Sequence, residues 1–120
     1  MEYHVKKNIF IALFVIIFVS GLYGQTLPEN RWLLGRWTGV NSNGINIEII
    51  FNDNGTGRFN TGGGIDDRVF SINGDVLRFF NLDGRAISSS WNIFRINDQR
   101  IILQSTTNLS LFINLNKMDQ

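Results

Sequence analysis

Hydrophobic and polar residues alternate through most of the chain after residue 35, and a period of two predicts β-strands with one buried face. One clear segment has its apolar positions at Ile45, Ile47, Ile49 and Phe51. A segment near the end repeats the pattern with Leu109, Leu111, Ile113 and Leu115. Between them, Phe70, Ile72, Leu77 and Phe79 continue the inward set. The pattern therefore predicts a sheet that covers a single hydrophobic core.

Turn signals interrupt this alternation at regular intervals. Most are Asn-Gly or Asp-Gly pairs, which favour the positive φ angles of tight hairpins, and they fall at 43–44, 54–55, 62–64, 73–74, 83–84, 97–98 and 107–108. They divide the chain into eight predicted strands, at 36–41, 45–52, 56–61, 68–72, 76–82, 86–96, 100–105 and 109–116. In the sixth, Trp91 and Ile93 share a parity that Phe94 and Ile96 break, which predicts a bulge near Ile93.

Every predicted connection is too short for a crossover helix, so neighbouring strands must be antiparallel. Eight such strands remove their exposed edges best by closing into an up-and-down barrel. A sandwich of two sheets is the competing arrangement, but the pattern has no long Greek-key connection. We therefore expect an all-β, eight-stranded antiparallel barrel.

One short helix is predicted before the first strand. Thr26 and Glu29 have the spacing of a capping box, and Pro28 is tolerated in a first helical turn. Gly35 is a natural point for the helix to end. We expect this helix to plug one end of the barrel.

Residues 1–24 have the features of a secretory signal peptide. Lys6 and Lys7 precede an uninterrupted apolar run at 9–19, and small residues follow at 20–24. An apolar run this short spans only about half of a bilayer core at ~1.5 Å per residue. We therefore expect cleavage after Gly24, with Gly21 as the alternative site, and a single mature domain at 25–120. It would be located in the periplasm or outside the cell, with no membrane anchor.

Composition excludes several classes of function. Removing residues 1–24 leaves nine basic and nine acidic residues, scattered without a basic patch, so nucleic-acid binding is not expected. The chain has no cysteine, and its single histidine, His4, leaves with the predicted signal peptide. The mature chain then has no His-dependent triad, no cysteine nucleophile and no His/Cys metal site. We expect a non-enzyme without a cofactor or a metal.

Residues 33–39, with Gly35 and Trp37, resemble the GxW motif at the start of the first strand in lipocalins and related calycin barrels. The hairpin at 49–59 and the segments at 91–93 and 101–103 are similar to parts of small bacterial lipocalin-like domains. The resemblance covers essentially all of the predicted mature chain and implies an eight-stranded barrel with a short helix before its first strand. It also implies that Trp37 packs across the closed end under a basic side chain, for which Lys117 is the match.

The candidate binding residues are apolar side chains predicted to line the barrel: Ile47, Ile49, Phe51, Phe59, Phe70, Phe79, Trp91 and Leu111. An eight-stranded barrel is either filled by its own side chains or holds one small ligand. The first alternative predicts a module that binds or inhibits another protein through outward residues such as Ile50, Phe80 and Phe112. The second predicts a carrier of a small apolar molecule.

Three polar or flexible segments need a separate interpretation. The glycines at 62–64 do not precede a helix, which makes them a mouth loop and a candidate gate rather than a phosphate site. Ser88, Ser89 and Ser90 either line a cavity or lie on the sheet surface. Asp66 and Asp67 would face opposite sides on a strand, but we expect them in a solvated loop.

Overall fold

A computed structural model describes residues 28–118. It contains a 3-10 helix, Pro28–Leu33, followed by eight strands. The strands are β1 Gly35–Asn41, β2 Asn46–Phe51, β3 Thr56–Asn60, β4 Ile65–Asn73, β5 Val76–Phe80, β6 Ile87–Asn97, β7 Arg100–Ser105 and β8 Phe112–Lys117. The predicted capping residue Thr26 and the predicted signal peptide lie outside the described residues. No helix in the described part is long and apolar enough to cross a membrane.

The eight strands form a closed antiparallel barrel in sequence order, which confirms the barrel prediction over the sandwich. Each strand pairs with the next, and β1 pairs with β8 to close the barrel. In that pairing Trp37 lies opposite Lys117 and Gly39 lies opposite Leu115. Closure therefore leaves none of the eight described strands with a free edge for pairing with another chain.

The core consists of Leu33 from the helix and of inward side chains from seven of the eight strands, all except β3. It contains Leu33, Trp37, Ile47, Ile49, Phe51, Phe70, Leu77, Phe79, Trp91, Ile93, Ile101, Leu103, Ile113 and Leu115. Two predicted core positions are wrong, because Ile45 and Leu109 lie in connections at a barrel end and are 46% and 64% exposed. In these two segments, buried and more exposed residues alternate only from Ile47 to Phe51 in β2 and from Ile113 to Leu115 in β8.

The short helix and the indole of Trp37 close one end of the barrel. Trp37 is fully buried, and its Nε1–H donates a hydrogen bond to the carbonyl oxygen of Leu33, 2.8 Å away. Trp32 meets the Trp37 ring edge to face with centroids 6.5 Å apart. The Lys117 ammonium lies 5.5 Å from the Trp37 ring centroid and donates a hydrogen bond to the Trp32 carbonyl oxygen at 2.8 Å.

Gly35 connects the helix to β1 with a φ of 118°, which only glycine adopts readily. A β-carbon there would lie 3.4 Å from Cε of Lys117. A second cation covers the outside of this end, because the Arg95 guanidinium carbon lies 4.1 Å from the Trp32 ring centroid. We call this end, built by the helix, Trp37 and Lys117, the closed end.

The opposite end, which we call the mouth, carries the connections at 42–45, 61–64, 81–86 and 106–111. Its strand boundaries differ most from the sequence prediction. β4 begins at Ile65, so Asp66 and Asp67 belong to a strand and not to a loop.

The irregularity in β6 lies further along the strand than predicted. A bulge is predicted near Ile93, but the register between β6 and β7 shifts between Arg95 and Asn97.

Candidate ligand site at the barrel mouth

A cavity of about 260 Å³ opens at the mouth, between β3, β4, β5 and β6. Its apolar wall consists of Phe59, Phe79 and Trp91. Its polar wall consists of Thr61, Asp66, Arg68, Ser88 and Ser89. The lining is therefore amphipathic, with three aromatic rings and five residues that carry hydrogen-bonding groups.

Stacked phenylalanines form the floor of the cavity and fill the barrel beneath it. Phe59 meets Phe79 edge to face at 6.0 Å, and Phe79 stacks on Phe51 at 6.0 Å. Phe51 in turn contacts Phe70 edge to face with centroids 5.0 Å apart. The cavity is consequently confined to the upper part of the barrel.

The period of two along β4 places a charge above this floor. Asp66 pairs with Phe59 and Phe70 pairs with Phe79, and both partners are inward residues. Arg68 lies two residues from each of them along β4, so all three belong to the inner face of the strand. The side chain of Asp66 is 62% exposed and that of Arg68 27%, whereas Phe70 is buried. The inner face of β4 thus changes from charged to apolar with depth.

Three contacts hold the Arg68 guanidinium in place. Its Nε–H donates to Ser88 Oγ at 3.2 Å, and Nη1 donates to the carbonyl oxygen of Asp67 at 2.9 Å. Nη2 lies 3.7 Å from Asp66 Oδ1, which is longer than a normal hydrogen bond. Among the contacts described for this guanidinium, Nη2 is therefore the nitrogen whose acceptor is most distant.

A β-bulge brings Ser88 to the arginine. Phe79 pairs with Ser89 and Phe80 pairs with Ile87, so Ser88 is an extra residue in β6. Bulges of this kind occur at barrel rims and redirect side chains. The neighbouring Ser89 accepts a hydrogen bond from Trp91 Nε1–H at 3.0 Å, which fixes the indole at the edge of the cavity.

The predicted lining residues divide into two groups. Phe59, Phe79 and Trp91 border the cavity. Five others do not line it: Ile47, Ile49, Phe51 and Phe70 are buried in the filled core, and Leu111 is partly buried against it. Of the three serines predicted either to line a cavity or to lie on the surface, Ser88 and Ser89 line this one. The glycine loop at 62–64 follows Thr61 at the mouth and is exposed.

Arg68 and Asp66 are not among the predicted lining residues, because the predicted fourth strand begins at Arg68 and the two aspartates are assigned to a loop. Counting back in steps of two from Ile72 and Phe70 reaches Arg68 and Asp66, so the signal was present. Asp66 and Asp67 do face opposite sides, as expected for a strand. Asp66 lines the cavity, whereas Asp67 forms an ion pair with Arg58 on the outer wall at 3.0 Å.

The outer wall has a depression of about 500 Å³ over β2, β3 and β4. Its volume is larger than that of the mouth cavity. Its arginine and its aspartate, Arg58 and Asp67, already form an ion pair with each other. The three outward residues proposed for a protein contact do not form one patch. Ile50, Phe80 and Phe112 lie on β2, β5 and β8; the first two are half-buried, and Phe112 is 39% exposed.

Within residues 28–118, no group of three or more histidine, cysteine, aspartate or glutamate side chains is arranged to hold a metal ion. In the mouth cavity a partly buried arginine, hydroxyl groups and aromatic rings line one space together. Comparisons with protein-family models, with curated proteins and with solved structures each found no match for this chain. The residues around the mouth are therefore the basis for assigning a function.

Proposed function

We propose that this protein binds a small, largely apolar molecule in the mouth cavity of its barrel. The observation that supports this most strongly is the combination of an aromatic wall with the partly buried Arg68 over a filled core. Ligand sites are typically concave and mostly apolar, with few polar groups that orient the ligand. The upper half of this barrel has that composition.

The cavity volume limits the size of the ligand. Drug-sized molecules occupy pockets of roughly 300–1,000 Å³, and the mouth cavity has about 260 Å³. A long acyl chain would need the space that Phe51, Phe70 and Phe79 occupy. The proposal is therefore restricted to a compact molecule, or to one end of a larger one.

Binding of the neutral fluorescent dye N-phenyl-1-naphthylamine, followed by displacement with small apolar compounds, tests this function. We expect saturable binding that Phe59→Ser weakens, because the substitution removes the ring from the cavity wall. Val40→Ser, on the outer wall of β1, is the matched control and should bind the dye as the unchanged protein does. Failure of the dye to bind the folded protein would refute the proposal.

The site also has an internal reporter. The three tryptophans are Trp32, Trp37 and Trp91, and only Trp91 borders the cavity. A ligand in the mouth should change the fluorescence of Trp91 while the other two indoles, at the closed end, keep theirs. Trp91→Phe should abolish the change in intensity but leave dye binding detectable.

A second candidate function is inhibition or binding of another protein through the outer wall. It is supported by the filled lower core and by apolar side chains on β6 and β8, where Phe94 is 50% and Phe112 39% exposed. Assays against a panel of secreted proteases would test it. Inhibition that Phe94→Ser removes, without dye binding at the mouth, would favour this function over the first.

We further propose that the chain is an exported, lipocalin-like protein. The basic and apolar order of residues 1–24 and the GxW motif at Gly35 and Trp37 support this. Expression with a bacterial export system should yield a protein whose first residue is Gln25, as read by N-terminal sequencing. Retention of Met1 in the cytoplasm would contradict it.

A further inference from the structure

We propose that the ligand of the mouth cavity carries a carboxylate that binds Arg68, and that Asp66 sets the affinity for it; this rests on the proposed binding function. The class of ligand is then a small monocarboxylic acid with an aromatic or compact apolar body. The inference comes from the hydrogen bonds of the Arg68 guanidinium and from the aromatic rings that line the same cavity.

Arg68 differs from the other paired arginines of the described chain. Its side chain is 27% exposed, compared with 41–54% for Arg31, Arg36, Arg58 and Arg95. A guanidinium carries five N–H donors, and those that hold no protein oxygen can donate to a carboxylate. In Arg68, Nε and Nη1 each hold a protein oxygen, at Ser88 and Asp67, which fixes the plane of the group and leaves Nη2 toward Asp66.

Asp66 is a weak internal competitor for that position. Its Oδ1 lies 3.7 Å from Nη2, so the pair lacks a direct hydrogen bond, and its side chain is 62% exposed. An ion pair this exposed contributes little stability, so a ligand carboxylate loses little by displacing it. Asp66 still repels an incoming anion through its charge, and removing that charge should therefore tighten binding of an acid.

The aromatic wall defines the rest of the ligand. Phe59 and Phe79 lie edge to face, and Trp91 is fixed by its hydrogen bond to Ser89. A ring placed on these side chains, with a carboxylate one or two methylene groups away, would put an apolar body on the floor and the charge beside Arg68. The aromatic lining residues match the apolar body of such an acid, and Arg68 matches its carboxylate.

The test compares 3-phenylpropanoate with its neutral amide, 3-phenylpropanamide, by titration calorimetry and Trp91 fluorescence. Both compounds have the same ring and chain, so the difference in Kd reports the charge alone. We expect the acid to bind at least about tenfold more tightly, as for a hydrogen bond to a charged group. Arg68→Gln should bring the two Kd values together, and Asp66→Asn should tighten the acid selectively.

Arg58→Gln is the matched control, because Arg58 pairs with Asp67 on the outer face of β3 and β4. It changes the net charge by the same amount as Arg68→Gln and should leave both Kd values unchanged. Equal loss of acid binding in both variants would overturn the inference in favour of general electrostatic attraction.

The remaining outcomes separate this inference from the proposed function. If acid and amide bind the unchanged protein equally while the neutral dye still binds, the carboxylate is not recognised and only this inference fails. If neither compound nor the dye binds, both fail. Because the comparison is made on the unchanged protein, it does not depend on the folding of any variant.

Discussion

Gly39 is the position where the barrel tolerates a side chain least, and Gly39→Ala is the sharpest test of the fold. The residue lies in β1, opposite Leu115 of β8, in the pairing that closes the barrel. A β-carbon built on it would lie 1.6 Å from the carbonyl oxygen of Asn114 and 2.7 Å from its carbonyl carbon. Both are backbone atoms, so no side-chain rotation can relieve the overlap.

The size of the effect follows from the displacement that is needed. Carbon–oxygen contacts between strands normally measure about 3.3–3.6 Å, so β1 and β8 would have to separate by roughly 2 Å at this point. Overpacking alone typically costs ~1–3 kcal/mol, and each hydrogen bond lost between the strands adds ~0.5–1.5 kcal/mol. We expect Gly39→Ala to reduce the free energy of unfolding by at least about 3 kcal/mol.

Gly63→Ala is the matched control. Gly63 lies in the mouth loop, and a β-carbon there would have no atom within 4 Å. Because alanine restricts the unfolded chain more than glycine does, this variant should be unchanged or stabilised by up to ~1 kcal/mol. The same substitution is thus expected to destabilise the protein at Gly39 and not at Gly63.

Urea unfolding followed by far-ultraviolet circular dichroism measures both variants. The total stability of a domain this size is on the order of 5–15 kcal/mol, so the predicted loss should move the midpoint strongly. Midpoints for Gly39→Ala and Gly63→Ala that agree within error would show that β1 and β8 do not approach as closely as described. The register of the closing pair would then be wrong.

Three further substitutions test the packing of the barrel. Trp37→Ala should cost about 3–5 kcal/mol of unfolding free energy, because it empties a fully buried site and leaves the Leu33 carbonyl without its donor; an unchanged melting temperature would refute this role. Phe51→Ala should cost a similar ~3–5 kcal/mol by removing the ring beneath the cavity, and a loss below about 1 kcal/mol would indicate an unfilled core. Asp53→Asn should cost less than about 1 kcal/mol, since the ion pair with Arg31 is more than half exposed on both sides; a larger loss in a melting experiment would contradict that estimate.

The strand count and the order of pairing could be predicted because the signals are local. Asn-Gly and Asp-Gly pairs mark hairpins, and Gly44, Gly55, Gly74 and Gly84 all have positive φ angles between 62° and 85°. Glycine alone adopts such angles without strain, so the sequence identifies these turns directly. Closure into a barrel then follows from the need to pair the two remaining edges.

The mouth could not be predicted as well, because its properties depend on residues that are distant in sequence. Whether the barrel is filled depends on Phe51, Phe70 and Phe79, which come from different strands and meet in the core. The contact between Arg68 and Ser88 requires a bulge in β6, which no periodic pattern announces. The polar residues Asp66 and Arg68 on the inner face of β4 also give the sequence pattern of a loop. For this reason the pattern predicts a later start for β4 than Ile65.

The pairing of β1 with β8 also has a consequence for how the chain folds. Seven of the eight strand pairings join consecutive strands through short turns, whereas this one joins opposite ends of the chain. Closing so long a loop costs more conformational entropy than forming a hairpin, so we expect this pairing to form after the rate-limiting step. Gly39→Ala should then accelerate unfolding and leave the refolding rate nearly unchanged, giving a φ-value near zero in stopped-flow measurements. The absence of a side chain at Gly39 would therefore slow the unfolding of the closed barrel and have little effect on its folding rate.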